Sequence, residues 1–163
     1  MAIISVDFDP AEVGHSGQPA PGKCHLLVTH VRETEKYVKC ICRIVAHDKG
    51  AGEVGKTIQC YLTLNTGASR KSVDFALATG IFSADEWAAR TAAGEVKIDI
   101  PFPDAENRSF CTTLLRGKGD YADRIEVGWD IVDPASPAAD RYPKDARLVV
   151  AVDTGASVDD VKF

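Results

Sequence analysis

Residues 37–65 constrain the fold more than any other stretch of the chain. They read YVKCICRIVAHDKGAGEVGKTIQCYLTLN. Apolar and polar residues alternate on both sides of a Gly-rich connection, and a period of two is the mark of a strand with one buried face. On the first strand Val38, Cys40, Cys42 and Ile44 point one way, and Tyr37, Lys39, Ile41 and Arg43 the other. On the second, Ile58, Cys60, Leu62 and Leu64 are expected in the core, with Thr57, Gln59, Tyr61 and Thr63 outside. The outer face then carries two tyrosines, a Lys and an Arg. Aromatic rings that stack bases, beside cations that hold phosphates, suit single-stranded nucleic acid. An ordinary solvated sheet face is the competing interpretation.

The connection spells Gly50-Ala51-Gly52-Glu53-Val54-Gly55-Lys56-Thr57, a full G-x-x-x-x-G-K-[ST] match. In a phosphate-binding loop the glycine N–H groups cradle phosphate, the Lys neutralises it and the Thr meets Mg²⁺. That chemistry needs a helix to open at Lys56, because its N-terminal N–H groups complete the anion site. The alternation after Thr57 predicts a strand instead. The apolar run 148–152 ending in Asp153 would suit the Mg²⁺-binding strand of such an enzyme, and equally an ordinary strand.

With 163 residues, 45% of them hydrophobic, the chain is expected to form one domain with a real core. No apolar run approaches the ~20 residues that span a bilayer. The start MAIISVDFDP lacks the basic and apolar regions of a signal peptide. Five cysteines cannot all pair within the chain, so reduced thiols and a cytoplasmic setting are expected. A net charge of −5 argues against coating duplex DNA by charge alone, but leaves room for a single-strand binder with one basic groove.

Residues 1–22 read as a lead-in arm, with an edge strand conceivable over 3–8. Residues 23–132 read as a β-barrel domain. Strands are expected at 23–32, in the pair above, and at 96–102, 108–116 and 124–132, the last with Ile125, Val127, Trp129 and Ile131 inward. A helical insert covers 70–93: a helix over 70–79 with Val73, Ala76 and Leu77 on one face, then a second opened by a capping box, Ser83 to Glu86. Residues 133–143 are Pro- and Ala-rich and read as linker, 147–152 as a further strand, and the remainder as an acidic tail. The expected fold is mainly β with a short helical insert, an antiparallel OB-like barrel; a β-sandwich is the alternative.

No cofactor or metal is expected. Cys40 and Cys42 have no second pair, the histidines are scattered, and no nucleophile motif occurs. Basic residues recur at strands and loops (Lys39, Arg43, Lys56, Arg70, Lys71, Arg108, Arg116, Lys118 and Arg124), with Tyr37, Tyr61, Phe110 and Tyr121 among them. From these, Tyr37, Lys39, Arg43 and Tyr61 are selected as a DNA platform, and Arg116, Lys118 and Tyr121 as a flanking clamp on a mobile loop.

Two resemblances add to this. The tail, with Asp159, Asp160 and Phe163, resembles the acidic, Phe-ending tips of bacterial and some phage single-stranded DNA-binding proteins; Lys162 departs from that pattern. Such tips recruit replication and repair partners. Residues from about 21 to 132 resemble a phage-borne family of unknown function proposed to bind single-stranded DNA. The shared features are Pro21-Gly22-Lys23, the Gly-rich turn into Gly55-Lys56-Thr57, Ala78-Thr79-Gly80-Ile81 and Asn107-Arg108. The resemblance implies a non-enzymatic, single-stranded DNA-binding protein of replication or recombination, and it supplies no catalytic residues. A phage structural or assembly protein, with the tyrosines as subunit contacts, and a nucleotide-binding enzyme using Gly50 to Thr57 are the other readings. A homo-oligomer is compatible with all three.

Overall fold

A computed structural model describes residues 5, 17–64 and 70–149. Five antiparallel strands form one sheet: β1 (Gly22–Glu33), β2 (Tyr37–His47), β3 (Thr57–Thr63), β4 (Ser109–Arg116) and β5 (Ile125–Val127). Their order is β3-β2-β1-β4-β5. The two end strands, β3 and β5, come into contact, so the sheet nearly closes on itself. The helices α1 (Arg70–Thr79) and α2 (Ala84–Ala92) fall between β3 and β4. This is an OB-like barrel with a helical insert rather than two packed sheets.

The alternation in the sequence is the cause. Val38, Cys40, Cys42 and Ile44 of β2, with Ile58, Cys60 and Leu62 of β3, are buried together with Cys24, Leu26 and Val28 of β1. Helix α1 plugs the barrel. Its Phe75 is fully buried, with its ring 5.3 Å from that of Phe110 and 6.4 Å from that of Phe102. Gly80 ends α1 at a φ of 77°, a left-handed conformation that glycine adopts without strain. Ser83 caps α2 by accepting from the Glu86 N–H at 3.3 Å. Glu86 does not reach back as a capping box would; its carboxylate pairs with Arg90 at 2.8 Å.

Several expectations fail for local reasons. Residues 96–102 form no strand, and Val96 is fully exposed. Pro101 adopts φ −81°, ψ 70°, and the Phe102 N–H donates to the Ile100 carbonyl. That is an inverse γ-turn, and it carries Phe102 and Ala105 into the core on a 3-10 turn. Trp129 is not inward but 63% exposed. The strand β5 stops at Val127, and the Ile131 N–H donates to the Trp129 carbonyl in another three-residue turn that breaks the alternation. Leu64, just past the end of β3, is exposed, while Phe75, outside the predicted apolar face of α1, is the residue that plugs the barrel. A 3-10 turn, Ala146–Leu148, begins where a last strand was expected. The expected strand at 3–8, the turn at 66–69 and the end of the strand at 150–152 lie outside the described residues, apart from residue 5.

The stretch expected to be linker is packed. Residues 130–148 lie against the outer side of β1 and β4. Val132 bridges to Cys111, the Asp145 N–H donates to His25 Nδ1 at 3.1 Å, and Ser109 donates to the Leu148 carbonyl. The Asp130 carboxylate gathers the Thr113 N–H, the Thr112 and Thr113 hydroxyls and the Tyr142 hydroxyl. His25 and Cys111 thus point away from the barrel core and are still fully buried.

Burial pushes the pKa of His25 down from 6.5 to about 4. Its Nδ1 accepts a hydrogen bond, so the proton sits on Nε2, which is buried without a partner. Between pH 6.5 and about 4 the unfolded chain takes up a proton that the folded chain refuses. Stability is therefore expected to be fully present above pH 6.5 and to fall toward pH 4. Melting curves of the wild type and of His25→Asn, which keeps an acceptor for Asp145, check this. The variant should lose less of its melting temperature over that window, and parallel curves would contradict the assignment.

Candidate nucleic-acid interface

With the outer side of β1 and β4 covered, the outer side of β2 and β3 is the open face. Tyr37 and Tyr61 are 38% and 50% exposed and meet edge to face, with centroids 5.5 Å apart. They are diagonal neighbours: Tyr37 lies opposite Thr63, and Tyr61 opposite Lys39. Ladder hydrogen bonds join Leu64 to Lys36 and Ile44 to Lys56. The pairs Tyr37/Thr63, Lys39/Tyr61 and Arg43/Thr57 therefore fall at the non-hydrogen-bonded positions, where cross-strand side chains come closest. The Tyr61 hydroxyl donates to Gln59 at 2.7 Å, which fixes the ring's tilt. Lys39 and Arg43 are half-buried, and neither side chain has a hydrogen bond or ion pair among the described residues.

The second predicted group is a separate cluster. Arg116 ends β4, and Lys118 and Tyr121 occupy the β4–β5 loop. The loop is tied at its neck, where the Gly117 N–H donates to the Arg124 carbonyl at 2.8 Å. A Cβ at Gly117 would collide with the Tyr121 backbone, so glycine is required there. Tyr121 is exposed, and the Arg124 guanidinium lies 5.1 Å from its ring centroid. Among the described residues no hydrogen bond, ion pair or ring contact joins this cluster to Tyr37 and Tyr61.

Other predicted participants are placed elsewhere. Phe110 is in the core. Lys71 donates to the Val127 carbonyl at 2.6 Å and Arg108 to the Thr79 carbonyl at 3.1 Å, so both brace the fold. Asp159, Asp160 and Phe163 lie outside the described residues. The sequence reading missed Trp129, whose exposed ring lies 5.7 Å from the Lys71 ammonium. Only the turn after β5 turns it outward, and no periodicity signals that.

The Gly50 to Thr57 motif lacks the geometry of a phosphate loop. A 3-10 turn, Ala51–Glu53, is followed by β3 from Thr57, and no helix opens at Lys56. The Lys56 ammonium is instead 2.9 Å from the Glu53 carboxylate. Hydrogen bonds from Lys56 and from the Ala20 N–H hold the Glu53 pKa below its ordinary value, so the pair is closed at neutral pH.

All five cysteines are unpaired and buried. Burial raises every thiol pKa, that of Cys60 to about 11 and that of Cys111 to about 12, so thiolate chemistry is suppressed. Among the described residues no three His, Cys, Asp or Glu side chains converge as metal ligands, and no helix is long and apolar enough to cross a membrane. Searches against protein-family models and curated proteins give no match.

Proposed function

We propose that this chain is a non-enzymatic single-stranded DNA-binding protein of phage or prophage type, acting in the cytoplasm in replication or recombination. The observation that carries the proposal is the division of the barrel's outside. The C-terminal segment covers β1 and β4, while β2 and β3 keep an open face with paired tyrosines, Lys39 and Arg43. Bases would stack on Tyr37 and Tyr61, with phosphates running past Lys39 and Arg43. Arg116, Lys118 and Tyr121 would flank the strand, and the tail would recruit partner proteins.

Fluorescence anisotropy with labelled oligo-dT at two salt concentrations tests the proposal. Saturable binding that weakens with salt and is not matched by duplex DNA is the expected result. Lys39→Ala should reduce the slope of log affinity against log salt by roughly 0.7, one single-strand phosphate. Absence of binding at high micromolar protein would remove the proposal. A structural or assembly role is the second reading, favoured by the exposed Leu115 and Trp129, which would suit subunit contact. Concentration-dependent assembly without DNA affinity would select it.

A further inference from the structure

The open face continues past Arg43 into a cleft. β1 pairs its His25 with Ala46 and its Leu26 with Ile44, so Val45 is an extra residue in β2, a β-bulge. Bulges bend a strand and re-aim its side chains. At this bend a cleft of about 510 Å³ opens, within the roughly 300–1,000 Å³ of small-ligand sites. Three separate pieces of chain build it: Arg43 and Val45 from β2, Val54 and Gly55 from the Gly-rich connection, and Arg147 and Leu148 from the C-terminal segment.

Its chemistry is two-sided. Val45, Val54 and Leu148 supply apolar wall, Arg43 and Arg147 supply cations, and the Asp145 carboxylate, which also lines the cleft, is paired with Arg147. Arg43 is half-buried and has no counter-ion among the described residues. Arg147 is held in place: its Nε and Nη2 donate to the Asp145 carboxylate at 3.1 and 2.8 Å, which leaves the Nη1 donors for a ligand. Asp145 is itself fixed through its N–H on His25. The Arg147 side chain is otherwise exposed, so the pair orients its guanidinium toward the cleft without burying it.

We propose that this cleft receives one unstacked nucleotide of a bound single strand, with its phosphate between Arg43 and Arg147 and its base against Val45, Val54 and Leu148. This rests on the single-strand reading and extends the site by a defined step. Tyr37 and Arg43 are six residues apart on β2, roughly 20 Å at 3.3 Å per residue, the reach of several nucleotides. The glycine-rich connection thereby gains a role as a cleft wall instead of a phosphate cradle.

The test compares short and long oligo-dT on the wild type, Arg147→Ala and Val54→Trp, the last placing an indole in the cleft from an exposed loop position. In the wild type, affinity should rise once the oligonucleotide is long enough to run from the tyrosines to the cleft. Both variants should lose that gain, roughly five- to tenfold, while binding the short oligonucleotide as the wild type does. Variants that match the wild type at both lengths would overturn the cleft while leaving the single-strand reading intact. If the wild type binds no oligonucleotide, both fall. Saturable binding of dTMP alone, lost in Val54→Trp, would instead assign the cleft to free nucleotides.

Discussion

Tyr37→Ala/Tyr61→Ala is expected to bind oligo-dT two to three orders of magnitude more weakly than the wild type. Each base stacked on an aromatic ring is worth roughly 1–3 kcal/mol by truncation to alanine. The two rings touch, so their effects will not simply add, and a combined loss of about 3–4 kcal/mol is the expectation. The fold should tolerate the change. Both side chains lie on the open face, and removing them costs one exposed ring pair, about 0.5–1.5 kcal/mol. The melting temperature thus separates a binding defect from a folding one. Tyr61→Phe, which keeps the ring and loses only the hydrogen bond to Gln59, should bind nearly as well as the wild type. A double variant within twofold of wild-type affinity would remove this face from the site.

Phe75→Ala is expected to destabilise the protein by about 3–5 kcal/mol, with a fall in melting temperature of roughly 10–20 °C. Phe75 is fully buried and touches two other rings, one on β4 and one on the 3-10 turn after Pro101. Its removal leaves a cavity between helix and barrel that close-packed neighbours cannot fill. The loss is a large fraction of the stability of an ordinary domain. Urea denaturation measures it directly. Below the unfolding transition the folded protein should retain its affinity for oligo-dT, because Phe75 lies inside the barrel and the stacking rings lie outside. A change under 1 kcal/mol would mean that α1 is not the plug described.

The strand pair was legible because its alternation is complete. From Tyr37 to Thr63, every side chain predicted inward is buried, and the tyrosines predicted outward are exposed. The same parity argues against the phosphate loop, though it left the nucleotide-binding reading open; β3 over Thr57 to Thr63 leaves no room for the first turns of a helix. Alternation misled where it lacked a partner strand. Val96 to Phe102 has the pattern and no pairing, and Pro101 turns the chain at the point where the pattern looks most regular. Trp129 misled in the same way.

The sequence by itself determined β1 to β4, which face of β2 and β3 is apolar, and that a helical insert lies between the third strand and the fourth. Those properties are periodic and local, set by side-chain parity and by caps and glycines within a few residues. Only the tertiary structure decided which outer face stays open. Residues 133–143 look like linker because the contacts that pack the segment around them, Asp130 to Thr113 and Asp145 to His25, join residues far apart in the chain and leave no periodic trace. The cleft likewise exists only where β2, the Gly-rich connection and the C-terminal segment meet. No stretch of one of them carries the other two, and so the site's far end could be found only once the chain had folded.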